Sequence, residues 1–165
     1  MALQTTVTSS PARALPGMLA DSAPRDILSG IVDAASGVAP GRFAVRTAGG
    51  NFAGAHPSAT FAAAAALGLV LHQHHARTPT SDSNNEVYDD ESEFPFLRHG
   101  RAWCVIEDAF DAGDALFVRF ATGSGGTSLG ALRTDADTAS AVAVTGLRVL
   151  TSGGAGDLGL VEINL

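Results

Sequence analysis

The stretch from Gly100 to Ala121, GRAWCVIEDAFDAGDALFVRFA, constrains the fold more than any other part of the chain. Its runs Arg101–Asp108 and Ala115–Ala121 are rich in β-branched and aromatic residues and flank Phe110-Asp111-Ala112-Gly113-Asp114. Asp and Gly accept the positive φ that tight reversals demand, so the spacing predicts two strands folded on each other as a hairpin. In the first run Trp103 and Val105 alternate with Ala102, Cys104 and Ile106. In the second, Leu116, Val118 and Phe120 alternate with Phe117 and Arg119. Each strand therefore has a face to bury. A slip of one residue in the turn exchanges those faces, and the sequence leaves the register open. Lying in the most apolar run, Trp103 is assigned to the core.

The flanking segments extend the same pattern. Asp26–Ala35 sets Ile27, Leu28, Ile31 and Val32 at helical spacing, but Gly30 interrupts the run and the flanks read as turns, so a strand is expected. Pro40-Gly41 makes a turn, and Arg42–Thr47 alternates as a strand. Ala62–Ala66 favours helix by propensity, yet it runs into Leu67-Gly68-Leu69-Val70-Leu71, which reads as a buried strand. Arg77–Glu93 has no period and reads as a solvated loop. Beyond the glycine-rich Thr122–Thr127, the segments Leu129–Arg133, Ala141–Leu150 and Leu158–Leu165 read as strands.

Short strands separated by Gly, Asp and Asn turns predict an all-β chain, a jelly-roll-like antiparallel β-sandwich over residues 29–165. Ahead of it, Thr5–Thr8 is at most a short strand, and Pro11, Pro16, Gly17 and Pro24 break any longer element. Residues 1–28 therefore read as an irregular N-terminal arm. Such an arm either docks on another molecule or covers one end of its own core, and the sequence leaves both open.

Composition narrows the function. At 165 residues the chain suits one domain, burying roughly two thirds of its unfolded surface. The longest apolar run, Phe61–Leu71, falls short of the ~18 residues of a membrane span. The N-terminus has no basic head followed by an apolar core, so no signal peptide is expected. All 10 cationic residues are Arg, and the net charge is −7. Without Lys there is no Walker lysine, Schiff base or lysine general base. Scattered Arg on an acidic chain offers phosphates no electrostatic stripe, which argues against nucleic-acid binding. The single Cys104 cannot form an intramolecular disulfide and reads as a small core residue.

Several constellations carry residue types suited to chemistry. Gly126-Thr127-Ser128-Leu129-Gly130 matches a nucleophile elbow, but no amphipathic helix follows the serine, so a loop is expected. His72-Gln73-His74 would share one face of a strand and hold a metal as cupin-like enzymes do. His75-Ala76-Arg77 follow, however, and the next Glu is Glu86, so a polar strand end or a subunit contact is the better reading. Asp108, Asp111 and Asp114, and the run Asp89-Asp90-Glu91, lack the spacing of a Ca²⁺ loop and suit turn chemistry. Tyr88, with Trp103, is a candidate sugar-stacking aromatic. A binding module for carbohydrate or another surface ligand is the alternative function.

Along its length the chain resembles the capsid cement, or decoration, proteins of tailed bacteriophages. The resemblance rests on Pro16-Gly17-Met18-Leu19-Ala20-Asp21-Ser22-Ala23-Pro24, Gly41-Arg42-Phe43-Ala44-Val45 and Leu67–Leu71, then Gly100–Val105, Ala112–Arg119 and the closing Leu160–Leu165, in that order. It implies a jelly-roll-like domain on the outer surface of the virion capsid, made in the host cytoplasm, with no catalysis, cofactor, metal, nucleic acid or membrane partner. The implied partners are the major capsid protein, whose capsomers it would tie together, and the chain itself. Icosahedral shells offer two-fold and three-fold sites; two-fold contacts being commonest, a dimer is favoured over a trimer. Leu15, Met18, Leu19, Ile27 and Leu28 are the expected capsid or oligomer contacts. On this reading, deleting Met1–Pro24 leaves a folded domain that no longer binds.

Overall fold

The computed structural model describes residues 14–73, 78–79 and 86–165. In chain order its strands are β1 (Asp26–Val32), β2 (Phe43–Arg46), β3 (Ala53–Ala55), β4 (Ala66–Val70), β5 (Thr78–Pro79), β6 (Glu86–Val87), β7 (Glu93–Val105), β8 (Ala115–Arg119), β9 (Leu132–Arg133), β10 (Ala141–Val149) and β11 (Leu158–Asn164). Among the described residues the helical content is one 3-10 turn, Ala63–Ala65, in the alanine run. The chain is all-β and jelly-roll-like, as expected.

One sheet carries the order β1-β3-β2-β4-β7-β11-β10-β8-β9, and β1 also pairs with β7. That second pairing closes β1, β3, β2, β4 and the first half of β7 into a ring. The second half of β7 carries β11, β10, β8 and β9, and β9 returns toward the end of β7, where Leu132 bridges Ile106. β7 is thus the spine of two curled halves. It is buried on both faces from Phe94 to Leu97. Phe94 and Phe96 pack with Val32, Val38, Leu67, Val70 and Tyr88 in one cluster. Leu97, Ala102 and Cys104 pack with Phe43, Leu69, Leu116, Val118, Val161 and Ile163 in the larger one.

The strands flanking the 110–114 turn exist, but the predicted hairpin does not. β11 and β10 lie between β7 and β8. Seven residue pairs from Leu158↔Val105 to Asn164↔His99 give the C-terminal strand the place beside β7. The connection between β7 and β8 turns inward instead, burying Phe110 and bonding it in both directions to Gly153 at 3.0 and 2.9 Å. Two partnerships that depend on distant sequence displaced one that was local.

The expected boundary between residues 28 and 29 falls inside a strand. The sheet begins at Asp26, so Ile27 and Leu28 belong to β1. Before it, the backbone from Gly17 to Ala20 lies antiparallel along β7: Gly17 N–H donates to Trp103 O (2.7 Å), Trp103 N–H to Met18 O (2.9 Å) and Ala20 N–H to Arg101 O (3.0 Å). Leu19 bridges Ala102 and packs on the larger core. Thr5–Thr8 lies outside the described residues. The expected loop over 77–93 also carries structure: β5 pairs with β6, Tyr88 bridges Val38, and Glu93 opens β7.

Candidate functional site

Strand alternation leaves two apolar outer surfaces. On β1 the even positions Leu28, Gly30 and Val32 turn inward, and Ile27 (37% exposed) and Ile31 (55%) turn outward. Ile31 N–H donates to Phe52 O at 3.0 Å, which sets the 53%-exposed Phe52 beside it. Asp33, Asp90 and Glu91 line the same shallow depression. The second surface is the outer face of the β7–β11–β10 sheet. Ala102 and Cys104 point into the core, so Trp103 and Val105 point out, paired with Leu160 and Leu158 of β11. Met18 lies alongside Trp103 and is exposed. Trp103 is therefore a half-buried residue of the outer face and not of the core.

A row of charges borders this second surface. Arg101 reaches Asp21 at 3.5 Å and donates to Glu162 at 3.1 Å, while Arg148 Nε donates to the other Glu162 oxygen at 2.7 Å. The guanidiniums of Arg148 and Arg101 hold the Glu162 carboxyl below its usual range. Asp21, Arg101, Glu162 and Arg148 therefore form an alternating ladder across the sheet.

A cavity of about 350 Å³ opens at the edge of this face, lined among others by Leu15, Arg42, His72, Val105 and Glu107. His72 N–H donates to Gly17 O at 2.9 Å. His74 and His75 lie outside the described residues, so the expected His-x-His face is not tested. Among the described residues no group of three potential metal ligands converges. Ser128 sits in a turn closed by Ala131 N–H to Ser128 O (3.1 Å), with Gly130 at φ +76° and no helix after it. Tyr88 is fully buried, its hydroxyl donating to Leu71 O at 2.8 Å and accepting from Gln73 N–H at 3.0 Å, so it offers no sugar platform.

Several of the acidic residues do turn and ion-pair work. Asp114 accepts from Asp111 N–H, and Asp90 from Ala34 N–H. Asp108 accepts from both the backbone N–H and the hydroxyl of Thr134. Around Arg119, which is wholly buried, a network forms that alternation alone would have left in solvent. Its Nε donates to Glu107 at 2.7 Å, and its Nη2 lies 2.8 Å from Asp137 as an ion pair. Arg133 adds contacts to Glu107 and Asp137, both at 3.4 Å. The Ser124 hydroxyl and the Arg119 guanidinium hold the Asp137 carboxyl well below the usual carboxylate range. Asp137, Thr138 and Ala139 all have positive φ (38°, 55° and 68°), a left-handed turn clamped over the two arginines. Two arginines hold the carboxylates of Glu107, Asp108, Asp135 and Asp137 together here, so the network fixes the loop to the sheet.

Of the residues expected to make contacts, Leu15 (47% exposed) and Met18 (43%) face solvent near β7, and Ile27 does so on β1. Leu19 and Leu28 pack against the two cores. Sequence reasoning missed Ile31, Phe52 and the Trp103 face. The outward parity of Ile27 and Ile31 was a readable signal once Asp26–Val32 was taken as a strand.

No curated protein sequence matches this chain. Among solved structures, a chain of the capsid of Myoviridae phage XM1 superposes with a TM-score of 0.71 at 14% identity, covering 99% of this chain and 98% of that one. At that identity the likeness speaks for the fold. The family model described as "Structural cement protein (E217 gp24/Pam3 gp6)" matches residues 3–164. From end to end, then, this β-structured chain belongs to the phage structural cement proteins, a capsid-reinforcing component of the virion.

Proposed function

We propose that the protein is a non-enzymatic cement that binds the outer surface of a bacteriophage head and holds neighbouring capsomers of the major capsid protein together. It is made in the host cytoplasm and acts as a homo-oligomer, a dimer in preference to a trimer. The observation that carries this reading is the family match over residues 3–164. The two apolar outer surfaces support it, because a cement works by surfaces and not by a pocket. A curled sheet with two packed cores resists deformation, and many identical weak contacts add through a lattice by avidity.

For the shell contact we assign the β1 surface, Ile27, Ile31 and Phe52. Its surrounding carboxylates, Asp33, Asp90 and Glu91, would suit a capsomer surface that offers cations. Leu19 and Leu28 serve the protein's own cores. Deleting Met1–Pro24 is a poor test, since it removes Leu19 and the backbone bonds to β7. Ile31→Asp combined with Phe52→Ser changes exposed side chains and keeps the sheet. Purified protein is mixed with undecorated capsids, the capsids are sedimented, and copies per shell are counted. The expected outcome is saturable, stoichiometric binding by the natural chain and at least tenfold weaker binding by the double variant. Absence of saturable binding by the natural chain overturns the function, and equal binding by the variant overturns the assigned surface.

A further inference from the structure

The outer face of the β7–β11–β10 sheet is organised in two rows that run across the strands. Successive pairings fix the first: Met18 lies beside Trp103, Trp103 is paired with Leu160, and Leu150 N–H donates to Leu160 O at 2.7 Å. This row is apolar. The second lies one pleat away, because Ala20 aligns with Arg101, Arg101 with Glu162 and Glu162 with Arg148. With Asp21 at its end, this row reads negative, positive, negative, positive. Its side-chain exposures are 38% for Asp21, 43% for Arg101, 24% for Glu162 and 60% for Arg148, so Glu162 is half-buried and the other three are open to solvent. Val105 and Leu158 extend the apolar area toward Leu15.

The charge pattern says what this face can meet. An all-basic or all-acidic partner surface would oppose like charges at every second position. A lipid or wholly apolar surface would strip water from the whole ladder. An alternating row with an even number of members is complementary to itself when reversed. A two-fold axis lying in the plane of the face, parallel to the strands and passing between β7 and β11, performs that reversal. It lays apolar row on apolar row. It also sets Asp21 opposite Arg148 of a second copy, and Arg101 opposite Glu162 of the second copy, on both sides of the axis. The β1 surface lacks this property, because a two-fold contact there would bring Asp33, Asp90 and Glu91 against carboxylates.

We propose that the Trp103–Leu160 face with its Asp21–Arg101–Glu162–Arg148 ladder is the self-association surface, and that its occupant is the same face of a second copy in an isologous dimer. This deepens the cement reading, on which its purpose rests. Pairing through this face leaves one β1 surface free on each protomer, so a single dimer has two shell contacts and can bridge two capsomers. The apolar row excludes water, and the ladder sets the register and rejects a parallel arrangement.

Charge exchange tests the register without touching the core. In D21R the new positive charge faces Arg148 of the second copy. In R148D the new negative charge faces Asp21 of the second copy. Each single variant should self-associate roughly tenfold more weakly than the natural chain, since like charges are opposed twice per dimer. Equimolar mixing of the two variants restores opposite charges at every position of a heterodimer. Sedimentation equilibrium of the natural chain, each variant and the mixture should therefore give a dimer, two weakened dimers and a mixture near the natural chain's dissociation constant. A mixture no tighter than the single variants overturns the face, as do single variants that associate like the natural chain. A monomeric or trimeric natural chain overturns the two-fold. The capsid count is independent of all of these. A natural chain that dimerises as described but does not bind shells leaves the interface standing and removes the cement function.

Discussion

His56 accepts a hydrogen bond from Ala39 N–H at Nε2 (2.8 Å), and so carries its proton on Nδ1, 2.9 Å from Phe43 O. Protonating Nε2 would set two donors against each other. Burial, outweighing the carbonyl bond from Phe43, lowers the pKa from 6.5 to about 4. The unfolded chain therefore takes up a proton first as the pH falls. Stability should be full above about 6.5, decline down to about 4 and then level off with respect to this group. The loss is at most about 3 kcal/mol. Urea denaturation at stepped pH checks this, and His56→Gln should flatten the curve in that window; an unchanged slope in the variant would clear His56. Asp137 and Glu162 act lower, because their folded pKa values lie below the unfolded ones. Their stabilisation is present above about pH 4 and is lost on further acidification. None of this was legible from His56 alone, since its partners are Ala39 and Phe43, on other segments. Cys104 was legible: an apolar strand position predicted a core thiol, and burial does push its pKa up. Trp103 shares that strand but has the opposite parity, and composition cannot say which parity faces in.

Strands are where the sequence was most readable and their pairing least so. Asp26–Ala35 could be taken as a strand because Gly30 interrupts it. A Cβ there would lie 2.8 Å from Phe52 O and 2.9 Å from the Phe94 ring, a packing need that helical spacing does not reveal. β10 was expected as one continuous run, and its register against β8 shifts between Ala143 and Arg148. Gly146, at φ +93°, sits inside that shift, and a Cβ would come within 2.1 Å of Asn164 O. Since the obstacle is backbone, Gly146→Ala should cost roughly 2–3 kcal/mol. Thermal or urea unfolding measures the loss, and a variant as stable as the natural chain would show that the bulge relaxes freely. The predicted β7–β8 hairpin failed because local turn chemistry reports only that the chain reverses. It does not report that a C-terminal hairpin inserts between the two arms.

At the scale of the molecule, β7 contributes side chains to both hydrophobic clusters, and its first half closes one ring as its second half carries the other strands. Neither half keeps its core if β7 leaves. The described domain should therefore unfold in a single cooperative transition, with calorimetric and van't Hoff enthalpies equal. Two resolved transitions would show that the rings are separate units. Periodicity, turn residues and the absence of Lys were enough, by themselves, to determine an all-β chain without lysine chemistry, and ordered motifs were enough to point to its family. Which strands are neighbours, which apolar residues stay outside and which charges are buried were decided by tertiary structure alone. The reason is geometric. A strand's alternation defines two faces, but only the strands and loops laid over it, here from residues as distant as Met18 and Leu160, choose which face meets water.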